Sequence, residues 1–500
     1  MRGEVRPLRE SNASFPPRHV FRACSVKQPL SLWPILSCAG LLILQCGGRP
    51  LLTPAPHRGE PPPADTASEK RTGRDPLDFS MAFRDTVPAD RDETLAAAQP
   101  PQRSRRPRAP VVVPSHSARV LLQGDIREVT VYFVETYRLT ASGKTVGQVR
   151  GRVKITAREA GTDVTVQPAS GPAFAVSLPC MFEAPEGYGF VEIDDNSYRG
   201  GLQLVFRQQA TFSLVNILPV EEYLRGVVPL EIGPRESSEI EAVKAQAVAA
   251  RTYTYRRMRE RETRAWDLVA TVQDQVYGGI NAEEAVSDRA VRATASIAIT
   301  YGDSLIRAYY HSTCGGRTAA IQDVWDKPPA PYLQGIADVD RRGDAYCAIS
   351  RYFVWKESWP TDRLSRIAAR YSKRVYPQHP CSGTIRGMKV TRRFTCGRVG
   401  SCRIQTSTGS FEYGGDRIRF MLRRNASKLP ILRSSNFEVR SIDSRQVVLS
   451  GKGYGHGVGM CQMGAVGRAR AGQSFEQILS AYYPGTVLRP VAGAGAARSR

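Results

Sequence analysis

A glutamate enclosed by prolines is the residue of this chain best suited to proton transfer. Glu231 lies between Pro229 and Pro234, with Val227, Val228, Leu230 and Ile232 around it. Partial desolvation in such a setting raises a carboxyl pKa and leaves it a proton to give near neutral pH. Downstream, the Ala-rich run AVKAQAVAAR contains Gln246 and Arg251. A buried amide or guanidinium needs partners, and Arg251 is of a type that holds a carboxylate, either Glu231 or a sugar acid. HSTCGG then supplies His311, Ser312 and Cys314 just before a Gly-Gly loop, where reactive side chains tend to be exposed. Finally GKGYGHGVGMCQMG carries Tyr454, His456 and Gln462 among six glycines in fourteen positions. Glycine at that density lets backbone approach a ligand closely, while Tyr and Gln contact hydroxyls, which suits a sugar-facing surface.

Each group has a plainer reading. Glu231 as an exposed turn carboxylate near a helix N-terminus contributes about 0.3–1 kcal/mol to the dipole and nothing to chemistry. A loop histidine such as His311 or His456 is commonly a hydrogen-bonding residue. The glycine-rich loop lacks the GK[ST] of a phosphate loop and the strand-turn-helix context of a dinucleotide site. His311 with Cys314, and His456 with Cys461, offer ligand types that suit zinc, but about 140 residues separate the two halves. A Cys314 disulfide is the competing fate, and HSTCGG matches no local signature of thiol proteases.

The elements that position these residues follow from periodicity. From Ala118 the chain alternates apolar and polar residues in ARVLLQG, REVTVYFV, TYRLTA, VRGRVKITA, TDVTVQ, LQLVFRQ and FSLVNILPV. These are strands of a β-rich module over about 117–217. A helix follows, with Ser238 and Glu241 as a capping box and Arg256, Arg257, Arg259 and Arg261 at its C-terminal end. AEEAVSDRAVRATA is helical, and IAITYG with LIRAYYH forms a strand pair turning at Gly302-Asp303. Residues 341–436, including YFVWKESWP, are an insertion or subdomain. Two strands then lead to the glycine-rich loop, a helix from about Met460 to Ala471, and a last helix capped by Ser474 and Gln477.

The 500 residues exceed one ordinary domain. Ahead of the folded part, Arg18, Arg22 and Lys27 precede an apolar run over 30–44 with small residues at Gly47 and Gly48. This pattern predicts an export signal or membrane anchor over 1–48, with Cys38 and Cys46 as weak lipoprotein candidates. Residues 49–116, rich in Pro, Arg and Ala, read as a disordered linker, and 491–500 as a tail. Export predicts a periplasmic or cell-envelope location, membrane contact only through the N-terminal segment, and disulfides among Cys180, Cys314, Cys347, Cys381, Cys396, Cys402 and Cys461. Seven is odd, so one is left over. The net charge of +23 points to an anionic partner. Nucleic acid is excluded as that partner by the lack of any recognition motif and by export, which leaves envelope polymers and anionic lipid.

Taken together, YRGGLQLV, NILPVEEYLRGVVPLEIGP with EAVKAQAVAARTYTY, DQVYGG, AYYHSTCGGRT followed by VW and PYL, and GKGYGHGVGMCQMGAVGRARAG ending in YYPGT resemble the SpoIID/LytB family. The resemblance covers about 117–490 and implies an α+β fold, a β-rich SpoIID-like domain with a few packed helices. It implies a peptidoglycan-binding protein and, for the sporulation members, a lytic transglycosylase acting on glycan strands stripped of stem peptides. The family's catalytic glutamate falls in GVVPxE and carries over to Glu231. Tyr277 of DQVYGG joins Gln246, Arg251, His311, Ser312, Tyr454, His456 and Gln462 as residues expected to contact substrate. The residue after the glutamate is often Met in the family, where this chain has Ile232. No cofactor is required by that chemistry, with zinc at His311 and Cys314 the open exception. The alternative that the family offers is a non-catalytic binding protein stimulating a cell-wall amidase.

Overall fold

The computed structural model describes residues 110–113, 115–159, 162–185, 189–208, 210–424 and 430–493. The export segment, Cys38, Cys46 and most of the expected linker lie outside the described residues. No helix among the described residues is long and apolar enough to cross a membrane.

Alternation at period two builds the first layer. In Glu128–Ala141, Val129, Val131, Phe133, Tyr137 and Leu139 are buried while most residues between them face outward, as a strand with one face on a core requires. Lys144–Ala157 and Asp163–Pro168 send Val149, Val153, Ile155, Val164 and Val166 into the same core. Each such side chain contributes about 1.5–3 kcal/mol when fully buried. The sheet has eleven strands, ordered in space as 268–269, 117–126, 211–219, 201–208, 180–183, 128–141, 144–157, 163–168 and 174–177, with 190–193 and 196–199 as a hairpin off 128–141.

Strand Thr211–Pro219 runs directly into the helical part. Short helices Val220–Arg225 and Val228–Ile232 come first, then a 3-10 turn at Ser237–Glu239 and the long helix Ile240–Glu260. The capping box expected there is not made. Ser238 lies inside the 3-10 turn, and Glu241 instead accepts the Phe475 N–H and pairs with Lys244. The long helix is buried around most of its circumference, because Ala242, Ala245, Ala247, Ala249 and Ala250 admit neighbours close to its backbone. Helices Ala285–Ala293, Gln462–Arg470 and Phe475–Tyr482 pack on it. The last of these begins with the expected capping box of Ser474 and Gln477.

A four-stranded sheet joins Val111–Val113, Val487–Gly493, Ile297–Tyr301 and Ser304–Leu305. Val111 pairs with Val491, so both ends of the described chain contribute to one layer. The turn at Gly302-Asp303 forms, but Tyr310–His311 leaves that pair and runs parallel to Met460–Cys461. Gly459 permits this approach. Its φ is +72°, and a Cβ there would lie 1.9 Å from the Tyr309 carbonyl oxygen.

A separate core forms within 354–452. Two three-stranded sheets, 354–360 with 446–452 and 437–442, and 385–393 with 399–406 and 409–414, enclose Trp359, Val399, Ile404, Phe437 and Leu449 together with Leu364 of helix Thr361–Val375.

Candidate active site

Glu231 stands in the short helix Val228–Ile232 rather than in an open turn. Pro229 in its first turn fixes φ where no N–H is needed, and Gly233, at φ +78°, ends it. The carboxylate Oε1 accepts the Val276 N–H at 2.9 Å, and the Gln462 side chain hydrogen-bonds the carboxylate as well. Burial outweighs these two bonds, which favour the ionised form, and pushes the carboxyl up to about 7. No charged group figures among the causes of that shift. The carboxyl itself is enclosed while the residue as a whole stays only partly covered. Burial also holds the Tyr223 and Tyr310 phenols protonated, with the nearby Glu231 charge adding to the effect.

The parallel pairing of Tyr310–His311 with Met460–Cys461 brings the HSTCGG and GHGVG segments to the same place. His311 lies opposite Cys461, and the next residue, Gln462, reaches Glu231. The rings of His311 and His456 are 5.5 Å apart. His311 turns Nδ1 to the Val458 carbonyl at 3.1 Å, while its buried Nε2 has no partner. His456 Nδ1 accepts the Val458 N–H at 3.1 Å. Burial pulls His311 well below the ordinary range and His456 down to about 4, so both rings are neutral at pH 7. Ser312 is partly exposed beside Thr313.

Besides the buried His311, three further expected substrate contacts are turned into the protein. Arg251 is fully buried and forks onto Glu221, with Nε and Nη2 each 2.7 Å from a carboxylate oxygen. It pairs with neither Glu231 nor a sugar acid, because helix Val220–Arg225 supplies a carboxylate from inside the protein. Tyr277 is buried, and its hydroxyl bonds Asn216 at 3.1 Å. Gln246 is fully buried too, and its Oε1 meets Gln462 Nε2 at 3.5 Å. Gln246 therefore buttresses Gln462 instead of touching substrate.

Tyr454 is partly exposed and packs at 4.8 Å on Tyr352, which borders a shallow cleft with Arg351, Val354, Trp355, Lys356 and Arg433. The expected disulfides are not formed: all seven described cysteines are free thiols. Nor do His311 and Cys314 share a site, since Cys314 faces Asp338 and Cys347 while His311 faces the GHGVG loop.

Several contributors escaped the sequence reading. The Val276 amide is invisible to any side-chain pattern. Tyr310 reads from the sequence only as a strand residue, although the adjacent Tyr309 and Tyr310 divide their roles. Tyr309 packs at 4.8 Å on Trp325, which in turn packs at 4.9 Å on His456. Lys327 lies over both aromatic rings, at 5.5 and 5.9 Å, and donates to the Tyr309 hydroxyl at 3.0 Å. The VW motif at 324–325 was the available signal.

The α+β frame gathers the GVVPxE glutamate, the HSTCGG strand end and the GHGVG loop, and the chain is similar in sequence to proteins of the SpoIID/LytB family. Residues 208–301 match the family described as Stage II sporulation protein, and 344–459 match a Domain of unknown function (DUF8618). The chain is 31% identical over 308 residues to the Amidase enhancer of Bacillus subtilis (strain 168), a match spanning 53% of this chain and 40% of that protein. It is 29% identical over 299 residues to Stage II sporulation protein D of Bacillus amyloliquefaciens, spanning 54% of this chain and 74% of that one. An uncharacterised protein of Brachyspira hyodysenteriae is 29% identical over 313 residues, 61% of this chain and 75% of its own length.

Proposed function

We propose that this protein is a peptidoglycan lytic transglycosylase that cleaves the MurNAc-GlcNAc bond of peptide-free glycan strands with Glu231 as its single acid/base. The observation that carries this reading is the GVVPxE glutamate accepting the Val276 N–H at 2.9 Å, its carboxyl pushed up to about 7 by burial with no charged neighbour among the causes. Protonated Glu231 gives its proton to the glycosidic oxygen as the C1–O bond breaks. The resulting carboxylate then takes the proton of the sugar's own primary hydroxyl, whose oxygen bonds to C1 and closes the anhydro ring. Glu231 ends protonated, as it began, and the cycle consumes no water. A second carboxylate as nucleophile is not demanded, unlike in most glycoside hydrolases.

The neutral imidazole of the partly exposed His456 is suited to a sugar hydroxyl, with the buried His311 and Gln462 supporting it and Glu231 from behind, and the Tyr309-Trp325 pair offers an apolar face to a pyranose ring. Lys327, and Arg351 and Lys356 at the neighbouring cleft, are suited to the lactyl carboxylates of stripped strands, a role that the buried Arg251 cannot take. The reading includes export to the cell envelope, motivated by the N-terminal sequence pattern.

The test is incubation of purified protein with denuded glycan strands and analysis for anhydro-muramic ends. Product from the parent and loss of it in Glu231→Gln support the proposal; equal product from both refutes it. The match to a protein named Amidase enhancer favours a second reading, in which the chain binds peptidoglycan and stimulates a separate amidase. Under that reading neither protein yields anhydro ends, and both accelerate an added N-acetylmuramoyl-L-alanine amidase.

A further inference from the structure

Three buried thiols and one buried carboxylate converge at a point that the glycan chemistry does not use. Cys314 follows strand Tyr310–His311, Cys347 lies in the 3-10 turn Tyr346–Ile349, and Cys461 caps helix Gln462–Arg470. Asp338 comes from the connection between the first two. The three sulfurs and one carboxylate oxygen all lie within 4.8 Å of one another. Cys314 Sγ is 3.5 Å from Cys347 Sγ and 3.3 Å from Asp338 Oδ2. A tetrahedral zinc ion with bonds of about 2.0–2.3 Å holds its ligand atoms about 3.3–3.8 Å apart, so the spacing needs only small adjustment.

The contacts around the four residues are those of a ligand set. Cys461 Sγ accepts the N–H groups of Cys314 and Gly464, each at 3.2 Å, and Cys314 Sγ accepts the Gly316 N–H at 3.3 Å. Backbone donors of this kind stabilise thiolates. Asp338 Oδ1 accepts the Tyr482 hydroxyl at 2.8 Å and Arg468 Nε at 3.1 Å, which fixes the carboxylate and leaves Oδ2 turned toward the sulfurs. Oriented carboxylates of this sort are typical of metal sites. A disulfide joins two of the thiols and leaves the third facing a buried carboxylate. A divalent cation engages all four, and zinc together with Arg468 offsets three of the four negative charges.

We propose that Cys314, Cys347, Cys461 and Asp338 form a structural zinc site. Four protein ligands close the coordination sphere and leave no position for substrate. Binding is not a redox step: each thiol that coordinates releases its proton to solvent as its S–Zn bond forms. The ion clips the HSTCGG strand end, the 338–347 connection and the start of helix Gln462–Arg470 to one another. Its place beside Gln462 makes it a support for the Glu231 environment, yet the site stands whether or not the chain cleaves glycan.

The test uses the full chain isolated without added metal, chelator or reductant. Elemental analysis is expected to find about one zinc per chain. Cobalt(II) added after chelator stripping is expected to give thiolate-to-cobalt charge-transfer absorption and the visible bands of a tetrahedral ion. Cys347→Ser should lose the zinc, and Asp338→Asn should weaken zinc binding at least ~10-fold. Where a variant does not fold, the cobalt spectrum of the parent decides. A Cys314–Cys347 disulfide in the non-reduced peptide map overturns the proposal. So does a zinc-free protein whose cobalt spectrum lacks charge transfer.

Discussion

Replacing Glu231 by Gln tests the protonation argument through stability, independently of any substrate. Burial raises the carboxyl from its ordinary 4.5 to about 7 in the folded protein. Because the folded state holds this proton more tightly than the unfolded chain, the stability that Glu231 contributes is complete below pH 4.5. It is lost as the pH rises through 7. At about 1.36 kcal/mol per pH unit, the rise corresponds to on the order of 3 kcal/mol between pH 4 and pH 8. The amide of Glu231→Gln does not titrate, so the variant escapes this loss. Its melting temperature relative to the parent should therefore climb by about 4 °C across that range for a cooperative unit of this size. Melting curves of both proteins from pH 4 to pH 8 measure it directly. Parallel curves with a constant offset would refute the claim that desolvation dominates at Glu231, and with it the reason for assigning this residue the acid role.

The same shift predicts that glycan cleavage declines as the pH rises above about 7, as the general acid ionises. In Gln462→Leu, which removes a hydrogen bond that favours the carboxylate, a pH-rate profile should show that decline moved to higher pH. Arg251→Ala should cost about 3 kcal/mol in denaturant unfolding, since it empties a fully buried site and breaks the forked pair with Glu221. Glycan affinity of the folded fraction should be unchanged. Trp325→Ala should weaken glycan-strand binding by about 1 kcal/mol in a sedimentation assay while leaving the pH dependence of Glu231→Gln relative to parent intact. Gly459→Ala should destabilise by more than about 2 kcal/mol in the same unfolding assay, because its φ and the Tyr309 carbonyl both exclude a side chain.

What the sequence alone determined is whatever depends on local pattern. Alternation in EVTVYFVETYRLTA is enough to place a half-buried strand, and an Ala-rich run is enough to place a tightly packed helix. The order of motifs was enough to single out Glu231 and to show the resemblance to the SpoIID/LytB proteins. Tertiary structure decided everything that depends on which partners arrive from a distance. Arg251 looked like a ligand for substrate because its sequence neighbours are apolar; Glu221, thirty positions earlier, satisfies it. Ser238 and Glu241 had the right spacing for a cap, but Phe475 competes for the glutamate. Burial raises the Glu231 carboxyl against the opposing hydrogen bonds of the Val276 amide and Gln462, and these partners come from segments 45 and 231 residues away. Cys314, Cys347 and Cys461 carry no recognisable ligand spacing, yet the parallel pairing of two short strands brings them together with Asp338. Local pattern reports what the backbone near a residue prefers; desolvation and partner choice are set by surfaces that only folding brings into contact.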